Sequence, residues 1–328
     1  MSKQKDKQSI SSPRQSFTGT VIRNTGSSYV VRLDSGREVT CRIKGNFRIK
    51  GIRTTNPVAV GDVVKVEHAS DDADYITAIH PRKNYIIRRA TNLSKESHIL
   101  ASNIDLAALV ASLSNPLTST TFIDRFLATC EAYSIPAAII INKMDLWDEE
   151  DREYAFALKN LYEYIGYKVF FVSATSLEGI EDLKLEFKDK ITLLAGNSGV
   201  GKSSLINALV PGINLKTGDI SDIHHTGTHT TTFSEMIPLP EGGEIIDIPG
   251  VRGFGTIDFQ SEEVDHFFPE IFKFSHDCKF GNCLHLGEPG CAVQEALDQQ
   301  LISQSRFASY MSIMEELSDY DSKYRKPF

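Results

Sequence analysis

Between residues 17 and 80 the apolar positions fall in short alternating runs: FTGTVIR, SSYVVRL, EVTCRIK, DVVKVEH and DYITAIH. Thr25-Gly26, Asp34-Ser35-Gly36 and Gly61-Asp62 part them with turn-forming residues. Five short strands in about 65 residues fit a small closed β-barrel, with the OB fold as first choice, so residues 17–82 are assigned to a barrel domain. Residues 83–102, with Lys83, Arg88 and Arg89, read as a linker. From Ile104 the pattern changes. IDLAALVAS, PAAIIIN, KVFFVSA, ITLLAG and GEIIDIPG are apolar toward both faces, as strands buried in a parallel sheet must be. Between them Phe122, Ile123, Phe126, Leu127 and Cys130 recur at helical spacing, and another amphipathic helix is predicted near 149–165. Strands alternating with helices make 83–255 an α/β domain. Residues 256–328 turn mainly helical. Ser261 with Glu262 and Glu263 marks a helix start, and 292–318 is a second amphipathic stretch. Its stripe of Val293, Leu297, Leu301, Phe307, Met311 and Met314 reads as core packing.

Apolar residues make up 41% and charged residues 24% of the 328, an ordinary globular balance. No apolar run is long enough to span a bilayer, so no membrane partner is expected. Residues 1–16 are polar and lack an apolar signal core, so they read as a disordered basic tail on a cytoplasmic protein. The net charge of −8 hides an asymmetry: residues 1–100 hold 18 Lys and Arg against 9 Asp and Glu, and the remainder 17 against 34. A basic first third suggests a polyanion-binding surface, with a merely solvated surface as the plain alternative. Five cysteines are too few and too uneven for a disulfide scaffold.

Gly196-Asn197-Ser198-Gly199-Val200-Gly201-Lys202-Ser203, followed by Ser204, matches G-x-x-x-x-G-K-[ST]. Its glycines let successive backbone N–H groups turn inward toward phosphate oxygens, and the next helix adds the partial positive charge of its N-terminus. Lys202 can reach the β- and γ-phosphates, and the Ser203 hydroxyl can ligate magnesium. The loop follows the strand ITLLAG and precedes the helical SSLINAL, the context such a loop requires.

A phosphate loop alone does not tell ATP from GTP. Asn142-Lys143-Met144-Asp145 closes the strand AAIIIN. A carboxylate there accepts from both N1–H and the 2-amino group of guanine, whereas adenine would leave Asp145 unpaired. Asn142 can tie this loop to the phosphate loop, and the Lys143 stem can lie against the base. Ser173-Ala174, after KVFFV, fits a second guanine loop whose backbone N–H meets O6. Asp247-Ile248-Pro249-Gly250 fits D-x-x-G, with Asp247 in the magnesium shell and the Gly250 N–H sensing the γ-phosphate. Thr228-His229-Thr230-Thr231-Thr232 fits a first switch loop, with Thr231, or else Thr230, completing that shell. These motifs specify GTP or GDP with magnesium. The base reader precedes the phosphate loop, the reverse of the usual order, so the domain is a circularly permuted P-loop GTPase with every required strand present.

Cys278-x4-Cys283-x-His285-x5-Cys291 offers three thiols and an imidazole, a recurrent tetrahedral zinc set, with Gly281, Gly287, Pro289 and Gly290 to turn the loop. One structural zinc per chain is expected, and Cys41 and Cys130 are left as core residues. Taken together, the barrel, the NKMD-then-GNSGVGKSS order, HTTT, DIPG and the cysteine spacing resemble the RsgA (YjeQ/YloQ) family of circularly permuted bacterial GTPases. That resemblance covers nearly the whole chain. It implies an OB-fold N-domain, a permuted GTPase domain and a C-terminal zinc-binding helical domain. It also implies a factor that assists late maturation of the small (30S) ribosomal subunit, contacts 16S rRNA and is stimulated by the ribosome; a monomer is expected. Val251 stands where a water-orienting Gln is found in Ras-like proteins, and valine cannot orient water. The resemblance gives that catalytic role to His229, with His224 and His225 as bystanders; Thr228 stands where the family often has Arg. Two other readings stay open here: a GTP-dependent RNA-binding switch without significant hydrolysis, and a barrel that binds protein instead of RNA.

Overall fold

A computed structural model describes residues 15–26, 28–43, 57–69, 73–89, 97–215, 234–247 and 259–324. The basic tail to residue 14, His224, His225, the switch residues 228–232 with His229 and Thr231, Ile248 to Gly250, and Val251 lie outside these.

Strands β1 (Ser16–Asn24), β2 (Tyr29–Leu33), β3 (Glu38–Ile43), β4 (Val63–His68) and β5 (Asp74–Ile79) close a barrel. β1 pairs antiparallel with both β2 and β4, β2 with β3, and β4 with β5, while β3 and β5 are parallel. That 1-2-3-5-4-1 circuit is the order of an OB barrel. The alternation read from the sequence sorts the side chains. Tyr29, Val31 and Leu33 point into a core with Val21, Cys41, Val64, Val66 and Ile76, while Val30 and Arg32 face outward.

Strands β6 (Tyr85–Arg89) and β7 (Ser97–Ser102) form an antiparallel ribbon. Two parts of the segment expected to be a linker are therefore strands. Ile86, Ile99 and Ala101 are buried beside Ile22 and Val60, and a Val60–Ala101 bridge joins ribbon to barrel. Buried Asp62 fastens the joint: it accepts from Arg82 Nε and Nη2 at 2.6 Å each, from Ser102 Oγ at 2.6 Å and from the Ala59 N–H at 2.8 Å. The basic residues around the ribbon masked an apolar alternation that was present in the sequence.

The α/β domain comprises β8 (Leu106–Ala111), α1 (Thr120–Ala132), β9 (Ala137–Ile141), α2 (Glu149–Ile165), β10 (Lys168–Phe171), α3 (Ile180–Phe187), β11 (Ile191–Ala195), α4 (Lys202–Leu209), β12 (Glu235–Pro238) and β13 (Glu244–Asp247). Its sheet runs β10-β9-β8-β11-β13-β12, parallel except for β12. Every residue of β8 is buried, because α1 and α2 cover one face and α3 and α4 the other. The helices begin and end where local chemistry permits. Ser119 accepts from the Phe122 N–H at the start of α1, Asp148 from the Asp151 N–H at the start of α2, and Gly166 at φ 119° ends α2. β1 continues the sheet beyond β12 through Arg23 opposite Glu235, with Arg23–Glu235 and Arg32–Glu244 ion pairs alongside.

The last region holds a 3₁₀ turn (Ser261–Phe267), α5 (Pro269–Ser275), α6 (Ala292–Asp298) and α7 (Gln304–Tyr324). The start marked by Ser261 is real, although it opens a 3₁₀ turn without a side-chain cap. Val293, Leu297 and Met314 are buried, with Phe307 and Met311 packed against them. Leu301 departs from the expected stripe: it falls in the break between α6 and α7 and is 44% exposed. This core also takes in Ala128 of α1. Buried Arg306 completes the junction, donating to Asp124 Oδ1 of α1 at 2.8 Å and to Glu270 Oε1 at 2.6 Å while lying over the Phe268 ring. Tyr162 of α2 donates to the same Asp124 oxygen at 2.8 Å. Among the described residues no helix is long and apolar enough to cross a membrane.

Candidate functional site

In an open α/β sheet, ligands bind outside the carboxyl ends of the strands. β8, β9, β10, β11 and β13 end side by side here, and the segments leaving them carry the motifs. The loop from Gly196 to Gly201 joins β11 to α4. A Cβ at Gly196, at φ 148°, would lie 2.4 Å from the Val110 carbonyl oxygen; one at Gly201, at φ 95°, would lie 2.4 Å from Asn142 Nδ2. Neither position admits a side chain. Lys202 is buried, and its Nζ donates back across the loop to the Gly196 carbonyl at 2.8 Å; Ser203 is buried beside it.

Asn142 ends β9 at 1% exposure. Its Nδ2 donates to the Val200 carbonyl in the phosphate loop at 2.9 Å, and its Oδ1 accepts from the Ala174 N–H at 3.2 Å. One buried amide thus ties three segments that lie 58 and 32 residues apart in the chain. Asp145 is exposed, and its Oδ1 accepts from Ser173 Oγ at 2.5 Å, leaving Oδ2 able to take a second donor. The N–H groups of Thr175 and Ser176 point to the same Ser173 oxygen, at 3.2 and 3.0 Å, which sets the second loop rigidly beside the first. The Ala174 N–H of the second loop is thus taken by Asn142.

Lys143 takes a left-handed backbone, at φ 67°, and sends its ammonium to the Asn115 carbonyl. Pro116 lies against the same cradle, with its Cδ 3.2 Å from where a Gly199 Cβ would be. Residues 112–118 were not singled out in the sequence. The available signal was their place at the carboxyl end of β8.

Asp247 ends β13. Its Oδ1 is sealed from solvent without a hydrogen-bond partner, an orphan that an ion would satisfy. Burial pushes the Asp247 carboxyl up, partly offset by Lys202, and pushes the Lys202 ammonium down, partly offset by Asp247. Ser203 and Asp247 are the described residues that could hold a magnesium ion beside a phosphate.

Cys278, Cys283, His285 and Cys291 bring their donor atoms within 4.8 Å of one another. His285 Nδ1 lies 3.6 Å from Cys278 Sγ and 3.4 Å from Cys291 Sγ, and those two sulfurs are 3.9 Å apart. Such edges suit a tetrahedron with metal–sulfur bonds of about 2.3 Å, so the donor set fits one zinc ion. The loop is braced from within and from α6 and α7. Glu288 accepts from the Leu284 and Leu286 N–H groups at 2.8 and 2.7 Å, Gln294 Nε2 donates to the His285 carbonyl at 2.7 Å, and Tyr310 donates to the Leu284 carbonyl at 2.8 Å.

A family model described as RsgA GTPase matches residues 79–257, and one described as RsgA N-terminal domain matches 18–76. The chain is 55% identical over 310 residues to a protein of Phocaeicola vulgatus named small ribosomal subunit biogenesis GTPase RsgA, covering 94% of this chain and 99% of that one. A Porphyromonas gingivalis protein of the same name is 57% identical over 303 residues, covering 91% and 96%. Among solved structures, YjeQ from Thermotoga maritima superposes with a TM-score of 0.75 at 32% identity, covering 92% and 99%. YloQ, described as a circularly permuted GTPase, gives 0.72 at 31% identity, covering 96% and 97%.

Proposed function

The chain belongs to the RsgA GTPase family, a family of GTP hydrolases, and from that premise we propose that it assists late maturation of the small ribosomal subunit in the cytoplasm. The observation that carries the reading is the Asn142 bridge. It ties the loop that carries a guanine-type carboxylate, Asp145, to the phosphate loop that carries Lys202, although the chain presents them in reversed order. Asp145 reads N1–H and the 2-amino group of guanine, with Asn142, Lys143, Met144, Ser173 and Ala174 forming its walls. Residues Gly196 to Ser204 take the phosphates. Ser203, Thr231 and Asp247 would hold magnesium, which when bound neutralises charge on the β- and γ-phosphate oxygens. Gly250 senses the γ-phosphate, and His229 orients the attacking water. Cys278, Cys283, His285 and Cys291 would hold zinc as a structural cross-link.

The barrel docks on 16S rRNA through phosphate contacts, so its binding weakens as salt rises. The protein acts as a monomer, binding with GTP and leaving after hydrolysis. The test is GTP turnover by the full-length protein with and without purified small subunits. Small subunits should raise turnover well above the basal rate, and large subunits should not. Equal turnover in all three conditions would overturn the ribosomal role while leaving the nucleotide site standing.

A further inference from the structure

His285 is buried at 1% exposure and holds a left-handed backbone at φ 60°. Its Nδ1 faces the cysteine sulfurs. Its Nε2 is also buried and has no hydrogen-bond partner. An imidazole N–H left bare in such a place costs about 1–3 kcal/mol, so the site calls for an acceptor. Asp265 Oδ2 lies 3.6 Å from that nitrogen, and among the described residues it is the carboxylate within ion-pair reach of His285. Its neighbours Val264 and Phe268 are fully buried in an apolar cluster that takes in Ala128 of α1 and Cys291, with Cys278, Cys283 and Leu284 packed against it. Apolar packing therefore brings the turn that carries Asp265 against the cysteine loop.

Metal-bound imidazoles generally donate their second N–H to a carboxylate or carbonyl, which fixes the tautomer and the ring plane. We propose that Asp265 is the positioning carboxylate of the zinc site. It accepts the Nε2 proton of His285 and commits Nδ1 to the metal. It thereby fastens the Ser261–Phe267 turn, the first described element after Asp247, to the cysteine loop. The inference rests on the zinc reading of Cys278, Cys283, His285 and Cys291.

The experiment uses full-length, zinc-loaded protein. Zinc content is measured by mass spectrometry, and zinc release is followed with a colorimetric chelator in excess. Asp265→Ala should release zinc about tenfold to a hundredfold faster than the parent protein. Asp265→Asn, whose amide oxygen still accepts, should fall between them. Glu262→Ala removes an exposed carboxylate from the same turn and should release zinc at the parent rate. Parent-like release from a folded Asp265→Ala variant would overturn the proposal. Should that variant fail to fold, the unmodified protein decides: nitrogen-15 spectra of its histidines should show Nδ1 metal-bound and Nε2 carrying a proton. The opposite tautomer would overturn the proposal. A parent protein that purifies without zinc would overturn the zinc reading too, and the metal content alone distinguishes that case.

Discussion

Asn142→Ala deletes a side chain that joins the NKMD loop, the Ser173-Ala174 loop and the phosphate loop. Two partners lose their bonds. The Val200 carbonyl is buried, and leaving it bare costs about 1–3 kcal/mol; the Ala174 N–H is half-buried and costs about 1 kcal/mol, since water can partly replace the lost acceptor. The sum, about 2–4 kcal/mol, falls on the loops' alignment and not on the sheet, because β9 and β11 are each paired on both sides by other strands. Affinity for GDP should therefore fall roughly thirtyfold to several hundredfold. Calorimetric titration with GDP and magnesium measures this directly. Trp147, the chain's single tryptophan, supplies a second readout: it lies two residues beyond Asp145, edge-on to Phe171 at 5.1 Å. Its emission should respond to GDP in the parent protein and only at far higher GDP in the variant. A folded variant with parent-like affinity would refute the claim that this amide assembles the site.

Asp145→Asn replaces an acceptor with a donor, so GTP binding should weaken by at least about tenfold while xanthosine nucleotides, which carry a carbonyl in place of the 2-amino group, gain; competition titrations test the exchange. Gly201→Ala forces a Cβ to within 2.4 Å of Asn142 Nδ2 at a φ of 95°, so it should weaken GDP binding about tenfold to a hundredfold without melting the barrel. His229→Ala should keep GDP affinity and lower subunit-stimulated turnover by about a hundredfold or more; unchanged turnover removes the catalytic assignment. Burial holds the Asp247 pKa above its unfolded value. In nucleotide-free protein, the stability tied to this group is therefore greatest below the unfolded pKa and is lost as pH rises through the folded one. Asp247→Asn should remove that dependence, and identical melting profiles against pH for the two proteins would count against it.

The nucleotide and zinc motifs were legible because their chemistry is local. A phosphate loop needs its glycines, lysine and serine within eight consecutive residues, and the zinc loop needs four donors within fourteen. The barrel and the sheet were legible for a related reason: burial on one face or on both imposes a period that the residues must follow. The ribbon of β6 and β7 was missed because basic residues surround its short apolar alternation.

What the sequence by itself determined is therefore the set of elements, the nucleotide chemistry and the zinc donor set, each a matter of near neighbours. The tertiary structure decided the couplings. Arg306 meets Asp124 across 182 residues, Asn142 meets Val200 across 58, and Asp62 meets Ser102 across 40. Asp265 comes to His285 because Val264 and Phe268 pack in the core shared by α1, Cys291 and α7. A lone Arg, Asn or Asp carries no mark of its partner. Only when the sheet and helices pack does a buried charge or amide find the group that satisfies it, and that satisfaction is what joins three regions of the chain into one device.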